Sequence, residues 1–105
     1  MFRKKQKPLK IEPDTQTLFQ YDGKTFAEMV KEELHKAKAA YPRLQTSAHE
    51  GFAVLLEEVE ELKAIVWQKQ KDRDPRAMLK ELVQIGAMAQ RMAGEIVGRG
   101  KVNED

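Results

Sequence analysis

Four glutamates lie within five consecutive positions near the middle of the chain: Glu57, Glu58, Glu60 and Glu61. Carboxylates held this close repel one another, and each raises the pKa of its neighbours unless a cation balances the charge. Carboxylate oxygens are also the ligands that Mg²⁺ prefers, with water and phosphate oxygens completing its coordination shell. A Mg²⁺ site of this kind suits the hydrolysis of a phosphate anhydride, because the cation neutralises phosphate charge and activates water.

Helical geometry separates these glutamates into different directions. Each residue turns a helix by about 100°. With Val59 at the centre of the apolar stripe, Glu58 lies at one edge of the stripe and Glu61 lies further round on the same side. Glu57 lies nearly opposite the stripe beside Glu61, and Glu60 lies on the other flank. Glu58 and Glu61 are therefore expected to border the core, while a solvated helix face with screened charges is the alternative interpretation.

A second polar pair follows on the next helix. Glu81 and Gln84 are three positions apart, as are Glu58 and Glu61, and residues three apart share one face of a helix. If the two helices pack antiparallel, the pairs face each other across one groove. Metal sites in helical bundles are built in this way, with oxygen ligands that project inward from facing helices.

The elements that position these residues are three helices. The spacing of apolar residues predicts helices over about residues 25–41, 47–69 and 74–97. Thr25 and Ser47 each precede a glutamate by three positions, which is the capping-box pattern. Asp74 followed by proline is a typical helix start, because proline at the first helical position needs no N–H partner.

The resulting prediction is an all-α fold: a three-helix chain in an antiparallel bundle. A domain this small buries a limited fraction of its surface, so we expect dimerisation or a higher oligomer to complete the bundle. Gly86 in the third helix is small enough for another helix to approach closely, which would compensate its low helix propensity. Six apolar residues of the second helix form one stripe at helical spacing, namely Phe52, Leu55, Leu56, Val59, Leu62 and Val66, and Phe52 is expected in the core.

Charge and apolar spacing together predict three parts of the chain. These are a basic, largely irregular N-terminal arm over residues 1–24, a helical domain over 25–97 and a polar tail over 98–105. The first ten residues hold five basic and no acidic side chains, so the net charge of +2 leaves the rest at −3. Either the arm is simply solvated, or it contacts nucleic acid or an acidic partner.

Composition excludes several classes of protein. The chain has no cysteine, which excludes disulfides, thiolate metal sites and a cysteine nucleophile. No apolar run approaches the length of about 20 residues that crosses a membrane. No apolar segment follows the basic N-terminal residues, so they do not form a signal peptide, and we expect a cytoplasmic protein without a membrane partner.

The acidic residues also resemble a known family. The segment 57–61 fits the E-E-x-x-E motif of the MazG-like, all-α nucleoside triphosphate pyrophosphohydrolases, and 81–84 lies where that family carries E-x-x-D. The resemblance covers residues 25–97. It implies Mg²⁺-dependent hydrolysis of a nucleoside triphosphate to the monophosphate and pyrophosphate, in a bundle assembled from two or more subunits. Carried over by position, Glu57, Glu58, Glu61 and Glu81 would hold the metal, with Glu57 and Glu58 also catalytic.

The departure from the family motif is Gln84, which stands where the family has aspartate. Its amide offers the metal one neutral oxygen in place of a carboxylate, so Mg²⁺ binding should weaken. The same change lowers repulsion in a metal-free site and favours a structural role. Two functions therefore remain open: an active nucleotide pyrophosphohydrolase, and a weakened or inactive helical module that binds a protein or a nucleotide.

Overall fold

The computed structural model describes residues 19–103. The three helices are α1 (Phe26–Ala40), α2 (Ala48–Val66) and α3 (Pro75–Met92). Their smaller neighbours are the strands β1 (Gln20–Tyr21) and β2 (Lys24–Thr25), a 3₁₀ turn (Gln70–Asp72) and a π-helical turn that extends α3 (Ala93–Val97). The mostly helical, three-helix prediction is confirmed. Residues 1–10, for which nucleic-acid contact remains a prediction, lie outside the described range.

The helix starts follow the local capping signals. The Thr25 hydroxyl accepts from the Glu28 amide at 3.2 Å, and the Glu28 carboxylate accepts from the Thr25 amide at 2.8 Å, which is a complete capping box. Ser47 caps α2 by accepting from the Glu50 amide at 3.0 Å. The Glu50 carboxylate, however, accepts from the Thr46 amide at 2.8 Å, so only half of the predicted second box forms.

A short antiparallel hairpin precedes α1, where the sequence analysis expects irregular chain with a turn. Tyr21 pairs with Lys24, and Asp22 and Gly23 between them have φ angles of 55° and 74°. Positive φ at both central residues is typical of a type I′ turn, whose twist suits a hairpin. The turn is confirmed, and the strands were missed because two residues are too few to show an alternating pattern.

Helix α3 is the central element, and it packs against α1 on one side and α2 on the other. Gly51 near the start of α2 lies beside Met92 at the end of α3, so these two helices are antiparallel, as predicted. The core is formed by Val30 and Leu34 of α1 with Val83, Ala87 and Met88 of α3.

Two glycines allow the helices to approach this closely. A Cβ atom at Gly51 would lie 2.8 Å from Met92 Cγ and 2.9 Å from Gln45 Oε1. A Cβ atom at Gly86 would lie 2.9 Å from Cγ2 of Val30, a branched side chain with little rotamer freedom. The expected close approach at Gly86 is therefore confirmed, and Gly51 provides a second one between α2 and α3.

The apolar stripe of α2 is only half covered, so the expectation that Phe52 lies in the core is wrong for the single chain. Phe52, Leu56 and Val59 are 54%, 37% and 38% exposed, whereas Leu55 and Leu62 are half-buried. The reason is that α3 covers one flank of the stripe and leaves the other open. Helical geometry turns Leu82 of α3, 40% exposed, toward the same side of the α2–α3 pair. We call Phe52, Leu56, Val59 and Leu82 the exposed apolar face.

A buried ion pair ties the α1–α2 connection to the end of α3. Arg91 Nε donates to Glu95 Oε2 at 3.0 Å, and the two residues are 6% and 4% exposed. The Arg91 guanidinium also donates to the carbonyl oxygens of Tyr41 and Arg43, at 2.6 and 3.0 Å. The second Glu95 oxygen accepts from the Gln45 amide at 2.7 Å. Because both charges are hydrogen-bonded, their burial is compensated.

None of the helices within residues 19–103 combines the length and the apolar composition that a bilayer-spanning helix needs.

Candidate functional site

Three carboxylates meet where α2 faces α3. Glu58 and Glu61 of α2 and Glu81 of α3 each place a carboxylate oxygen within 4.8 Å of the others. Glu58 and Glu81 are half-buried, and Glu61 is exposed. Among residues 19–103 this is the one group of three or more acidic or histidine side chains close enough to share a metal ion. We call these three residues the acidic cluster.

The position of Glu58 follows from the way α2 packs. Helix α3 covers the flank of α2 that carries Leu55 and Leu62. Around the axis of α2, the middle of this contact is therefore displaced from the middle of the apolar stripe toward Glu58. Glu58 therefore enters the seam between the helices instead of pointing into solvent. The predicted groove, with acidic pairs facing each other across an antiparallel helix pair, is confirmed for Glu58, Glu61 and Glu81.

Burial and mutual repulsion make Glu58 a weak acid. Partial burial, followed by the neighbouring charges of Glu61 and Glu81, raises the pKa of Glu58 from its usual 4.5 to about 7. Burial also raises the pKa of Glu81, with Glu61 adding to the effect. In the cation-free protein the acidic cluster therefore retains a proton near neutral pH.

Gln84 lies against the acidic cluster. Its amide nitrogen, in the orientation that satisfies both acceptors, lies 2.7 Å from Oε1 of Glu58 and 3.1 Å from Oε1 of Glu81 and donates to both. The opposite orientation places the amide oxygen against the same carboxylate oxygens, which is favourable only with a proton or a cation between them. Gln84 therefore serves the cluster as a donor when it is empty and can turn an oxygen toward a bound cation.

The structure does not bring every predicted site residue together. Glu57 is exposed and is not among the three residues whose carboxylate oxygens meet. Its predicted catalytic and metal-binding role therefore remains a prediction. Glu60 is also exposed, on the other flank of α2, as expected.

One contributor to the site was missed from sequence. The ammonium group of Lys80 lowers the pKa of Glu81 and so opposes part of the effect of burial. Its position directly before Glu81 was the available signal. A cation beside the cluster stabilises its ionised form without occupying the space between the carboxylates.

The raised pKa of Glu58 predicts a specific dependence of stability on pH. Between pH about 4.5 and about 7 the folded protein binds more protons at Glu58 than the unfolded chain does. Its free energy of unfolding should therefore fall as pH rises through this window. Glu58→Gln cannot ionise and should remove the largest part of that decrease, measured as the melting temperature by circular dichroism in buffer with a chelator.

The exposed Glu60→Gln is the control and should keep the native pH dependence. The carboxylates of Glu28 and Glu50, whose pKa values hydrogen bonds lower, act in the opposite sense and only as pH falls below about 4.5. They therefore leave the window of Glu58 undisturbed. A difference between native protein and Glu58→Gln that does not change from pH 5 to 8 would contradict the pKa of about 7.

Three comparisons bear on whether this geometry is shared with known proteins. The chain was compared with protein-family models, with curated proteins and with solved structures, and no match was found in any of the three. The functional interpretation therefore depends on the residues and geometry of the chain itself.

Proposed function

We propose that this chain is a Mg²⁺-dependent nucleoside triphosphate pyrophosphohydrolase of MazG-like type, with the acidic cluster as its metal site. The observation that carries the proposal is the meeting of Glu58, Glu61 and Glu81 within 4.8 Å across two facing helices. The chain arranges three carboxylates there despite their repulsion, which is the arrangement that a divalent cation would stabilise.

The donor set fits a hard divalent cation. Three carboxylates, with the amide oxygen of Gln84 as a neutral addition, supply oxygen ligands and leave coordination positions for water and phosphate. Bound Mg²⁺ would supply charge neutralisation of the phosphates and activation of water. Because Glu61 is exposed, the groove is open on the side from which a nucleotide would enter.

Within this proposal the residues have different tasks. Glu58, held in the seam between α2 and α3, would be the ligand from α2 that binds the cation between the two helices. Glu81 contributes the ligand from the facing helix, and nearby Lys80 helps to keep it ionised. Exposed Glu61 completes the set and is best placed to contact groups on the substrate side.

Enzyme activity provides the direct test. Native protein should release pyrophosphate from at least one member of a panel of standard and modified nucleoside triphosphates when Mg²⁺ is present. Glu58→Gln should lower that rate by about 100-fold or more, because it removes a metal ligand, whereas loss of a residue that only supports a ligand already costs about 10–100-fold.

Glu60→Gln is the matched control for activity, since it neutralises an exposed glutamate of the same motif outside the cluster. Glu57→Gln decides whether the family's motif position also acts here. Full activity of Glu58→Gln, or no pyrophosphate from any nucleotide of the panel, would refute the proposal.

A second candidate function is favoured by Gln84. Its amide donates to Glu58 and Glu81 and so stabilises the acidic cluster without a metal. In this alternative the chain keeps the helical arrangement but binds a nucleotide or a protein without hydrolysing anything. The two candidates differ in whether Mg²⁺ occupies the cluster.

Calorimetric titration with Mg²⁺ distinguishes the two candidates. Gln84→Asp replaces the neutral amide with a carboxylate and should bind Mg²⁺ about tenfold more tightly than native protein, because affinity rises with the number of charged ligands. Gln90→Asp, at an exposed position of α3 outside the cluster, is the control and should bind as native protein does. If neither native protein nor Gln84→Asp binds Mg²⁺, the metal-dependent candidate is refuted.

We further propose that the functional form is a homo-oligomer joined through the exposed apolar face. Phe52, Leu56 and Val59 of α2 and Leu82 of α3 leave large apolar side chains 37–54% exposed on one side of the α2–α3 pair. Contiguous apolar patches of this kind mark interaction surfaces. If a second copy of the chain packs its own exposed apolar face against this one, both faces are buried and a bundle around α2 and α3 is completed.

Sedimentation velocity tests this association. Leu56→Glu should weaken the dimer by about 100-fold or more, because a charge buried in an interface without a partner costs several kcal/mol. Tyr41→Glu, at a residue 74% exposed on the α1–α2 connection, places the same charge outside the face and should leave the dimer intact. A native protein that is monomeric at high micromolar concentration would rule out this interface.

A further inference from the structure

A cleft of about 250 Å³ lies between the hairpin, α1 and the first two turns of α3. Its apolar lining is formed by Met29 of α1 with Leu79 and Val83 of α3. Helical geometry directs these two α3 residues away from Glu81, so the cleft lies on the other side of α3 from the acidic cluster. The cleft is therefore a different cavity from the proposed metal site, although Lys80 lies near both.

The hairpin forms one wall of this cleft. Tyr21 and Lys24 are direct partners across β1 and β2, so their side chains lie on the same face of the hairpin, and both line the cleft. The hairpin buries little of its own: Gln20, Tyr21 and Lys24 are all exposed. Its defined turn and the complete capping box at Thr25 fix it at the start of α1. The hairpin thus adds little to the core, and what it does form is one wall of the cleft.

Basic side chains from two helices converge on the cleft: Lys36 of α1 with Arg76 and Lys80 of α3. Within residues 19–103, none of the three forms a salt bridge. Arg76 and Lys80 are four positions apart on one helix face, where like charges repel. Arg76 also lies in the first turn of α3, where the helix dipole disfavours a cation and the Asp74 carboxylate at the N-cap offsets only part of that effect. An anion in the cleft would relieve both unfavourable interactions.

The acidic residues of the lining do not cancel this positive charge. Glu32 is already paired with Lys24 at 2.7 Å. The other acidic residues of the lining are Asp22 and Glu33, two negative charges compared with the three positive charges of the basic side chains named above. The cleft therefore has an excess of positive charge, and its two carboxylates can accept hydrogen bonds. Such a mixture suits a ligand that carries one anionic group together with hydroxyl donors.

We propose that this cleft binds a phosphate monoester of a small hydroxylated organic group, such as a sugar phosphate or a nucleoside monophosphate. Lys36, Arg76 and Lys80 bind the phosphate, with the planar guanidinium group able to donate two parallel hydrogen bonds to it. The organic part packs on Tyr21 and the apolar lining, and Asp22 and Glu33 accept from its hydroxyls. The volume lies just below the range of about 300–1,000 Å³ for small-molecule pockets, which suits one compact ligand.

The proposal does not depend on the acidic cluster, so the test is performed with a chelator present and no Mg²⁺. Adenosine monophosphate is titrated into the full chain while amide chemical shifts are followed by nuclear magnetic resonance. Shifts should concentrate at the hairpin, at Lys36 and in the first two turns of α3. Adenosine without the phosphate should bind at least about tenfold more weakly, since charge-assisted hydrogen bonds are lost.

Matched variants complete the experiment. The double variant Arg76→Gln, Lys80→Gln should weaken binding of adenosine monophosphate about tenfold or more. Lys31→Gln, Lys38→Gln removes the same charge from exposed positions of α1 outside the cleft and should bind as native protein does. Glu58→Gln should also bind normally, which separates this outcome from that of the proposed hydrolysis.

Three results would overturn the proposal: no shifts at millimolar adenosine monophosphate, equal binding of adenosine, or equal losses in the two double variants. Circular dichroism of each variant shows that it remains folded. Replacing Arg76 and Lys80 removes their mutual repulsion and also the favourable interaction of Lys80 with Glu81. These opposing changes should leave the melting temperature close to that of native protein, so loss of binding would not reflect loss of structure.

Discussion

The antiparallel contact between α2 and α3 determines most of what distinguishes this molecule. Because Gly51 has no side chain, α2 can pack directly against Met92 of α3, in space that a Cβ atom would otherwise occupy. At that separation α3 covers one flank of the apolar stripe, which brings Glu58 into the seam beside Glu81 and leaves Phe52 on the open side. The half-buried acidic cluster and the exposed apolar face are therefore two consequences of one packing geometry, on opposite sides of the same helix pair.

The features that could be predicted from sequence depend on local chemistry or on helical spacing. The capping residue Thr25 and the Asp74-Pro75 start act within a few positions, so they place helix ends without knowledge of the fold. The acidic groove was predictable because residues three apart share a face, and two such pairs on adjacent antiparallel helices can face each other. Gln84 was recognised in the same way, although its role as a donor to two carboxylates needed the structure.

The remaining features depend on contacts between distant residues. The periodicity of α2 shows a wide apolar stripe but does not show which half α3 covers, so the exposure of Leu56 was unpredictable. Which half of the stripe α3 covers also determines how far Glu58 is removed from water, and hence the pKa of its carboxyl group. Arg91 and Glu95 read as ordinary surface charges in a charged sequence, and only their partners on the α1–α2 connection reveal that they are buried.

The buried ion pair also has a consequence for the order of folding. Its bonds to the connection join residues 48 and 50 positions apart: Arg91 reaches the carbonyls of Arg43 and Tyr41, and Glu95 reaches the amide of Gln45. Closing such long loops costs chain entropy before any of these contacts can form. We therefore expect the connection to become ordered only after α2 and α3 have docked, so that weakening the pair would mainly accelerate unfolding and leave the folding rate almost unchanged.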